Sequence, residues 1–156
     1  MRFPLEVVER VRSVWPHDRA LGIRFGGSDW ADGGWTIDDA GVFACEVAAR
    51  GVDLVSISTA GNAPVSPAAS PGWLVPHARA VRAALHAADP HTTVAVFAVG
   101  ELDEPHLAER TLAEGSADGI LLGRGALRDP RFPWRAARAL GELPHCPPPY
   151  AWAVGV

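Results

Sequence analysis

The feature that most constrains the fold is a regular alternation of helix-like and strand-like segments along nearly the whole chain. Apolar residues recur at helical spacing in segments 4–15, 37–50, 76–88, 104–114 and 133–140. Short and almost continuously apolar runs lie between them, at 21–25, 53–58, 93–99 and 120–122. The order is therefore one helix followed by four β-α units, which predicts right-handed crossovers and one parallel sheet in an α/β fold.

The loops of this predicted sheet are unequal, and the difference indicates where a ligand would bind. Loops that follow strands, such as 26–35 and 59–73, are long and rich in glycine, proline and tryptophan, whereas loops that precede strands are short. Ligands of parallel α/β folds bind beyond the carboxyl ends of the strands. Four β-α units are also half of an eight-unit barrel, which usually needs about 250 residues, and this chain has 156.

The run DGILLGRGALRDP, residues 118–130, ends the last predicted strand in Gly123, Arg124 and Gly125 and then turns toward a helix. Glycines let the backbone approach a ligand closely, and a helix start offers unpaired N–H groups to an anion. An arginine adds a fork-shaped positive charge that suits phosphate. The segment is a candidate phosphate-binding site, with a simple glycine turn and a solvated arginine as the alternative.

Composition and charge exclude several classes of function. The net charge is −4, which is unlike the basic surface of a nucleic-acid-binding protein. No apolar stretch reaches the length of about 18 residues that spans a bilayer. Cys45 and Cys146 lie far apart, and the histidines are scattered, so neither zinc spacing nor another metal motif is present. We therefore expect a cytoplasmic protein with no metal, nucleic-acid partner or membrane contact.

Four stretches together resemble the C-terminal half of the old yellow enzyme family of FMN-dependent NAD(P)H oxidoreductases. They are RFPLEVVERVR, GIRFGGSDWADGGWTIDDA, GVDLVSISTAGN and VFAVGELDEPHLAERTLAEGSADGILLGRGALRDPRF. The resemblance implies strands five to eight of a TIM (β/α)8 barrel over residues 1–143, with a proline-rich C-terminal tail at 144–156. It covers nearly all of this chain but only about half of a family member.

The resemblance also implies roles for individual residues. Arg24 would lie at the pyrimidine edge of the flavin, with an ion pair to Asp29 or Asp53 as the rival interpretation. The other residues that would contact FMN are Thr59, Gly61, Gly100, Gly123 and Arg124, the last three at its phosphate. For Thr59 and Gly61, a polar loop without ligand contact is the alternative. NAD(P)H would be the reductant, and a small activated alkene would accept the hydride.

Some positions depart from the family pattern. Glu101 stands where a small or apolar residue is usual, and a carboxylate there would repel a phosphate unless it points away. Trp73 and Leu74 replace a common Tyr-Gln pair, and Trp152 stands where one branch has an arginine that reaches a partner's active site. The family's substrate-binding histidine pair, tyrosine proton donor and flavin-modulating Cys or Thr belong to the first half, so Tyr150 is not assigned as the donor.

Three interpretations remain open at this point. The chain is the C-terminal half of an ene-reductase-type oxidoreductase that needs a first half for activity, or a non-catalytic half-barrel that binds FMN or another phosphate ligand. The third interpretation is an independent doubly wound domain that binds a phosphorylated metabolite. Because a bare half-barrel exposes the inner apolar face of its sheet, we expect self-association or a first-half partner chain.

Overall fold

The computed structural model describes residues 1–59 and 67–154 and contains one parallel four-stranded sheet. The strands are β1 (Gly22–Gly26), β2 (Leu54–Ser58), β3 (Ala95–Ala98) and β4 (Gly119–Ile120), and they lie in the sheet in that order. Each neighbouring pair is parallel. The predicted succession of four β-α units in an α/β fold is therefore confirmed. No helix among the described residues is both long enough and apolar enough to cross a membrane.

The predicted helices are present with small shifts at their ends. They are α1 (Arg2–Arg12), α2 (Ile37–Ala48), α3 (Val75–Ala88), α4 (Pro105–Ala113) and α6 (Phe132–Ala139). A short helix α5 (Arg124–Arg128) also follows β4 directly. The C-terminal segment contains a 3-10 turn, Pro148–Tyr150, and a short helix α7 (Ala151–Val154).

Local hydrogen bonds explain where several helices begin and end. Thr36 and Asp39 form a capping box at the start of α2, in which each side chain accepts the backbone N–H of the other residue. The Glu104 carboxylate accepts the first free N–H groups of α4. Helix α1 ends earlier than its apolar spacing predicts, because the Arg12 guanidinium donates to the carbonyl groups of Trp15 and Pro16 and folds that segment back.

The hydrophobic core lies between the helices and one face of the sheet. Val55 and Ile57 of β2 and Val96 and Ala98 of β3 are fully buried there, among residues of α2 and α3. On β1, Phe25 meets Phe43 of α2 edge to face at 5.0 Å. Alternation along each strand then turns the intervening residues toward the opposite, concave face.

Among the residues that the structure describes, no helical layer covers the concave face, which is only partly buried. Leu54 of β2 and Phe97 of β3 are half-buried there, and each side chain occupies the space beside a glycine of the neighbouring strand. Ser56 also belongs to this face; its side-chain oxygen is buried without a hydrogen-bond partner among the described residues. The described part of the chain therefore has a buried hydrophobic core on one side of its sheet and a partly exposed apolar face on the other.

Candidate functional site

A cavity of about 500 Å³ opens at the carboxyl ends of the strands, the edge at which the sequence predicts a ligand site. This volume lies within the range of small-molecule sites in proteins. Five of the six residues singled out from the sequence line it, namely Arg24, Thr59, Gly100, Gly123 and Arg124. The sixth, Gly61, lies outside the described residues. Residues from all four β-α units therefore meet in one cavity.

Arg24 projects from β1 on the concave face of the sheet, opposite to Phe25. Its Nη2 donates to Oγ of Ser58 at the end of β2, over 2.8 Å. Asp53, one of the two proposed ion-pair partners of Arg24, instead accepts the Leu21 N–H at 2.7 Å and lies 3.6 Å from Arg12. The Arg24 guanidinium is thus held at the cavity by a neutral hydroxyl, and its positive charge remains available to a ligand.

Thr59 connects the cavity to an aromatic rim. Its hydroxyl accepts the Trp30 Nε1–H at 2.7 Å and donates to the Ser28 carbonyl. The Trp30 ring stacks on Trp73, with 6.4 Å between ring centroids, and Trp73 lines the cavity. Trp30 adopts a left-handed backbone with φ of 57°, so these contacts hold it in a conformation that is uncommon for a bulky residue. Trp73, which the sequence analysis noted as a departure from the family, is therefore part of the site wall.

His77 is a residue of this rim that the sequence analysis did not single out. It lies in the first turn of α3 with its ring against Trp30, at 5.1 Å between centroids. Its Nδ1 is buried without a hydrogen-bond partner among the described residues, and burial lowers the pKa of His77. The sequence could have indicated His77 by its position. It comes just after the loop that follows β2, and the first turn of the next helix lies at the edge of the sheet where a ligand binds.

The opposite end of the cavity is formed by the loop after β3 and the turn after β4. Gly100 has φ of 120°, and the following Glu101 has φ of 55°. The Glu101 carboxylate lies 3.2 Å from Nη2 of Arg124. Gly123 precedes Arg124, and no atom lies within 4 Å of the place where a side chain on Gly123 would begin. The carboxylate noted as a departure from the family pattern is therefore paired with the predicted phosphate-binding arginine.

A second ion pair, between Arg128 and Asp103, lies beside the pair of Glu101 and Arg124. Arg128 of α5 donates to the carboxylate of Asp103, and this hydrogen bond lowers the pKa of Asp103. Both residues line the cavity, and neither was singled out from the sequence. The sequence offered one indication of Arg128: it follows Arg124 by four residues, a spacing that places the two guanidinium groups on one side of a helix. Gly125 between them permits the close approach, because a Cβ there would lie 2.7 Å from Cβ of Asp103.

The charges of the cavity favour an anionic ligand. Its described lining contains three arginines, Arg24, Arg124 and Arg128, and two carboxylates, Glu101 and Asp103, so three positive charges minus two negative charges leave one positive charge. One end combines guanidinium groups with glycine backbone, which suits a phosphate. The other end presents Arg24 and two hydroxyl groups, which suits a polar edge of a larger group.

Comparison with known proteins identifies the family to which the chain belongs. The model of the NADH:flavin oxidoreductase / NADH oxidase family matches residues 1–142. That range includes every β-α unit described above and all of the residues predicted to contact a cofactor. The predicted family resemblance is therefore confirmed.

Individual relatives show how much of a complete family member is represented. An NADPH dehydrogenase of Listeria innocua is 34% identical over 148 residues, which are 95% of this chain and 41% of that protein. An NADPH dehydrogenase of Geobacillus sp. (strain WCH70) is 34% identical over 140 residues, 90% of this chain and 38% of that protein. The chain thus spans about two fifths of the length of these curated relatives.

A solved structure shows the same fold. A complex of 2-naphthoyl-CoA reductase with 2-naphthoyl-CoA has a TM-score of 0.71 and 22% identity, over 90% of this chain and 21% of that chain. Together with the parallel strand order and the partial coverage of the relatives, this confirms the predicted fold class, the C-terminal half of a TIM barrel.

Proposed function

The chain belongs to the NADH:flavin oxidoreductase / NADH oxidase family, and from that premise we propose that it supplies the FMN-binding half of an NAD(P)H-dependent oxidoreductase of the ene-reductase type. One observation supports this above the others. Five residues chosen from the sequence as cofactor contacts line a single cavity at the carboxyl ends of the strands. Family membership also removes the alternative of an independent doubly wound domain that binds a phosphorylated metabolite.

The residues of the cavity fit FMN chemically. Its phosphate needs positive charge and backbone N–H groups, which Arg124 and the glycines Gly100 and Gly123 can offer. The pyrimidine edge of its ring carries hydrogen-bonding atoms, for which Arg24 offers a guanidinium. Thr59 offers a hydroxyl between these two ends, beside the proposed contact Gly61. The cavity volume of about 500 Å³ is compatible with a ligand of this kind.

The contribution of this chain is orientation and electrostatics. Bound FMN would supply the redox chemistry between NAD(P)H and the β-carbon of a small activated alkene. Arg24 would stabilise negative charge at the pyrimidine edge, and the hydroxyl of Ser58 holds its guanidinium in place. Arg124 would fix the phosphate end. No proton donor is proposed from this chain, because Tyr150 packs against Trp134 at 6.0 Å and is not among the described residues that line the cavity.

We further propose that activity needs a complementary half of the barrel. The concave face is unfinished, and helix α1 also presents an apolar stripe to solvent. Phe3, Val7 and Val11 recur at four-residue spacing, and Val14 follows, with exposures of 75%, 44%, 38% and 70%. Exposed apolar patches of this kind mark interaction surfaces. The complement is either a separate first-half chain or the preceding part of a longer polypeptide.

The number of helices favours such a complement over a second copy of this chain. Each seam between neighbouring strands of a β/α barrel is covered by one helix. This chain has a helix before β1 and another after β4, so in a symmetric pair α1 of one copy and α6 of the other would compete for the same seam. Self-association of two copies into a closed barrel is therefore the less well supported form of the partner proposal. A complement of four strands and three helices meets no such conflict.

A second candidate function is a non-catalytic half-barrel that binds FMN or another phosphate ligand. It is favoured by the short span of the chain, which corresponds to 41% of the Listeria relative. Both candidates use the same cavity and differ in whether a reductant is consumed. A cytoplasmic location is part of the proposal and is consistent with the two free cysteines, Cys45 and Cys146.

The experiment that tests the proposal combines flavin binding with turnover. The chain is purified alone and after co-expression with the N-terminal part of the Listeria innocua relative, FMN is added, and flavin fluorescence and NADPH consumption are measured. FMN binding with NADPH consumption in the co-expressed sample supports the oxidoreductase. FMN binding without consumption supports the non-catalytic module. Absence of flavin binding in both samples overturns the flavin proposal.

A matched pair of variants makes the binding measurement specific. Arg24→Met should weaken FMN and riboflavin to a similar degree, because its proposed contact is to the ring that both ligands share. Arg124→Ala should weaken FMN more than riboflavin, because riboflavin lacks the phosphate. Equal losses of both ligands in Arg124→Ala would contradict the phosphate role.

A further inference from the structure

We propose that Glu101 is a built-in competitor for the anion-binding end of the cavity, which pairs with Arg124 until a phosphate monoester displaces it. The residue thereby lowers the affinity of this end for anions. This inference rests on the proposed FMN site and adds to it a residue that sets the strength of phosphate binding. Glu101 is also the position at which the family resemblance led us to expect a small or apolar residue.

The backbone around Glu101 is unusual and directs its carboxylate to the site. Gly100 and Glu101 both have positive φ, 120° and 55°. A left-handed conformation is uncommon for glutamate, so it needs compensating contacts. The contact that the structure provides is the ion pair with Arg124, at 3.2 Å, in which the Glu101 side chain is only 34% exposed. Both residues line the cavity, so the pair faces the ligand space.

The pair places the Glu101 carboxylate at the arginine that a phosphate would use. Two oxygens of a carboxylate and two oxygens of a phosphate bind a guanidinium with similar geometry. The hydrogen bond to Glu101 engages one N–H of Nη2, and a phosphate on the same side of the guanidinium competes for that donor. The neighbouring Asp103 is paired with Arg128, so the charge of Arg128 is also neutralised by a carboxylate of this chain. A ligand therefore has to release Arg124 before it gains the full positive charge of this end.

Competition of this kind lowers the affinity of this end for every anion. A ligand that binds Arg124 on the side of Glu101 has to break the same ion pair, whatever its own charge. Repulsion from the Glu101 carboxylate grows with the charge of the ligand. A dianionic phosphate also brings more negative charge and three acceptor oxygens to the arginines, so it is the kind of anion expected to displace the carboxylate.

The test uses inorganic phosphate as the probe, with the full chain and isothermal titration calorimetry at low ionic strength near pH 8, where phosphate is a dianion. Glu101→Gln keeps the side-chain size and removes the charge. About fivefold tighter phosphate binding is expected from loss of an ion pair in which Glu101 is 34% and Arg124 is 76% exposed. Arg124→Ala should weaken binding by about the same factor. Glu109→Gln, an exposed glutamate of α4, is the control for the change in net charge and should leave the affinity unchanged.

The double variant separates competition from general repulsion. In the Arg124→Ala background there is no arginine to release, so Glu101→Gln should tighten phosphate by less than about twofold. An undiminished gain in that background overturns the proposal, as do equal gains in Glu101→Gln and Glu109→Gln. Absence of phosphate binding in every variant also overturns it.

Two further measurements test for misfolding of the variant and separate this proposal from the flavin proposal. Glu101→Asn, whose residue type tolerates a left-handed backbone, should reproduce the gain if folding of the glutamine variant is impaired. An FMN titration of the same variants separates the two proposals. If phosphate shows the expected pattern and FMN binds to none of the variants, the competitor role stands and the flavin proposal fails. If FMN binds but Glu101→Gln leaves both affinities unchanged, the flavin proposal stands and the competitor role fails.

Discussion

Two glycines of the predicted phosphate segment, Gly123 and Gly125, should lose different amounts of stability on the same substitution to alanine. A Cβ on Gly125 would lie 2.7 Å from Cβ and 3.2 Å from Cγ of Asp103, whereas a Cβ on Gly123 meets no atom within 4 Å. Carbon atoms pack at about 3.5–4.0 Å. Gly125→Ala therefore forces α5 and Asp103 apart by about 1 Å. Asp103 yields with difficulty, because Arg128 holds its carboxylate.

The expected free energies follow from these distances. Overpacking of this kind costs about 1–3 kcal/mol, and alanine in a helix gains about 0.5–1 kcal/mol over glycine. Gly125→Ala should therefore lower the free energy of unfolding by about 1–2 kcal/mol. Gly123 is the N-cap residue of α5, where alanine is worse than glycine, and its variant should lose about 0.5 kcal/mol.

Urea denaturation followed by tryptophan fluorescence measures both values. The two variants carry the same added methyl group in the same segment, so each is the control for the other. Phosphate binding supplies the second readout, because the methyl group of Gly123→Ala projects into the cavity and should weaken phosphate by about fivefold without unfolding the chain. If Gly123→Ala destabilises the chain as much as Gly125→Ala, the assigned close approach of α5 to Asp103 is wrong.

Three further outcomes are expected. The pKa of Glu104 is lowered from 4.5, first by its hydrogen bond from the His106 N–H, so its stabilisation is complete well above that value and is lost as pH falls through the lowered pKa. Melting temperatures of Glu104→Gln should accordingly fall less than those of the wild type between about pH 6 and about pH 3, and parallel curves would contradict the cap. Arg12→Met should cost about 2 kcal/mol in urea denaturation, because its side chain is 12% exposed and donates to three carbonyl groups, with Arg12→Lys as the intermediate control. Ile57→Ala should cost about 3–4 kcal/mol in the same assay, since Ile57 is fully buried, and a loss below about 1 kcal/mol would contradict its core position.

The order of the elements could be predicted from the sequence because strands and helices have different patterns of apolar residues. Strands buried under helices are apolar almost throughout, and each helix has a regular apolar face. The ends of the elements were harder to place. The last strand was expected at 120–122 and is Gly119–Ile120, because Gly119 pairs with Phe97 of β3 and the backbone turns toward α5 soon afterwards. Helix α5 is too short to show a period.

The composition of the site was predicted better than its internal contacts. The carboxyl ends of parallel strands meet at one edge, so Arg24, Gly100 and Arg124 could be assigned to one cavity from their positions after strands. The pair between Glu101 and Arg124 could not be assigned, because it joins residues 23 positions apart and depends on the positive φ of Glu101. Glycine signals a left-handed backbone in a sequence, whereas glutamate does not.

The two faces of the sheet have different roles: one stabilises the fold, and the other carries the site. Val55, Ile57 and Val96 complete a core with α2 and α3 on one face, so the fold has its own source of stability. The concave face holds Arg24 and the buried hydroxyl of Ser56, which has no partner among the described residues, and a buried unpaired polar group is costly. Substitutions in the first face should unfold the chain, whereas Ser56→Ala removes an unpaired buried hydroxyl and should leave its folding intact. An equal loss of folding stability in Ser56→Ala and Ile57→Ala would contradict this separation.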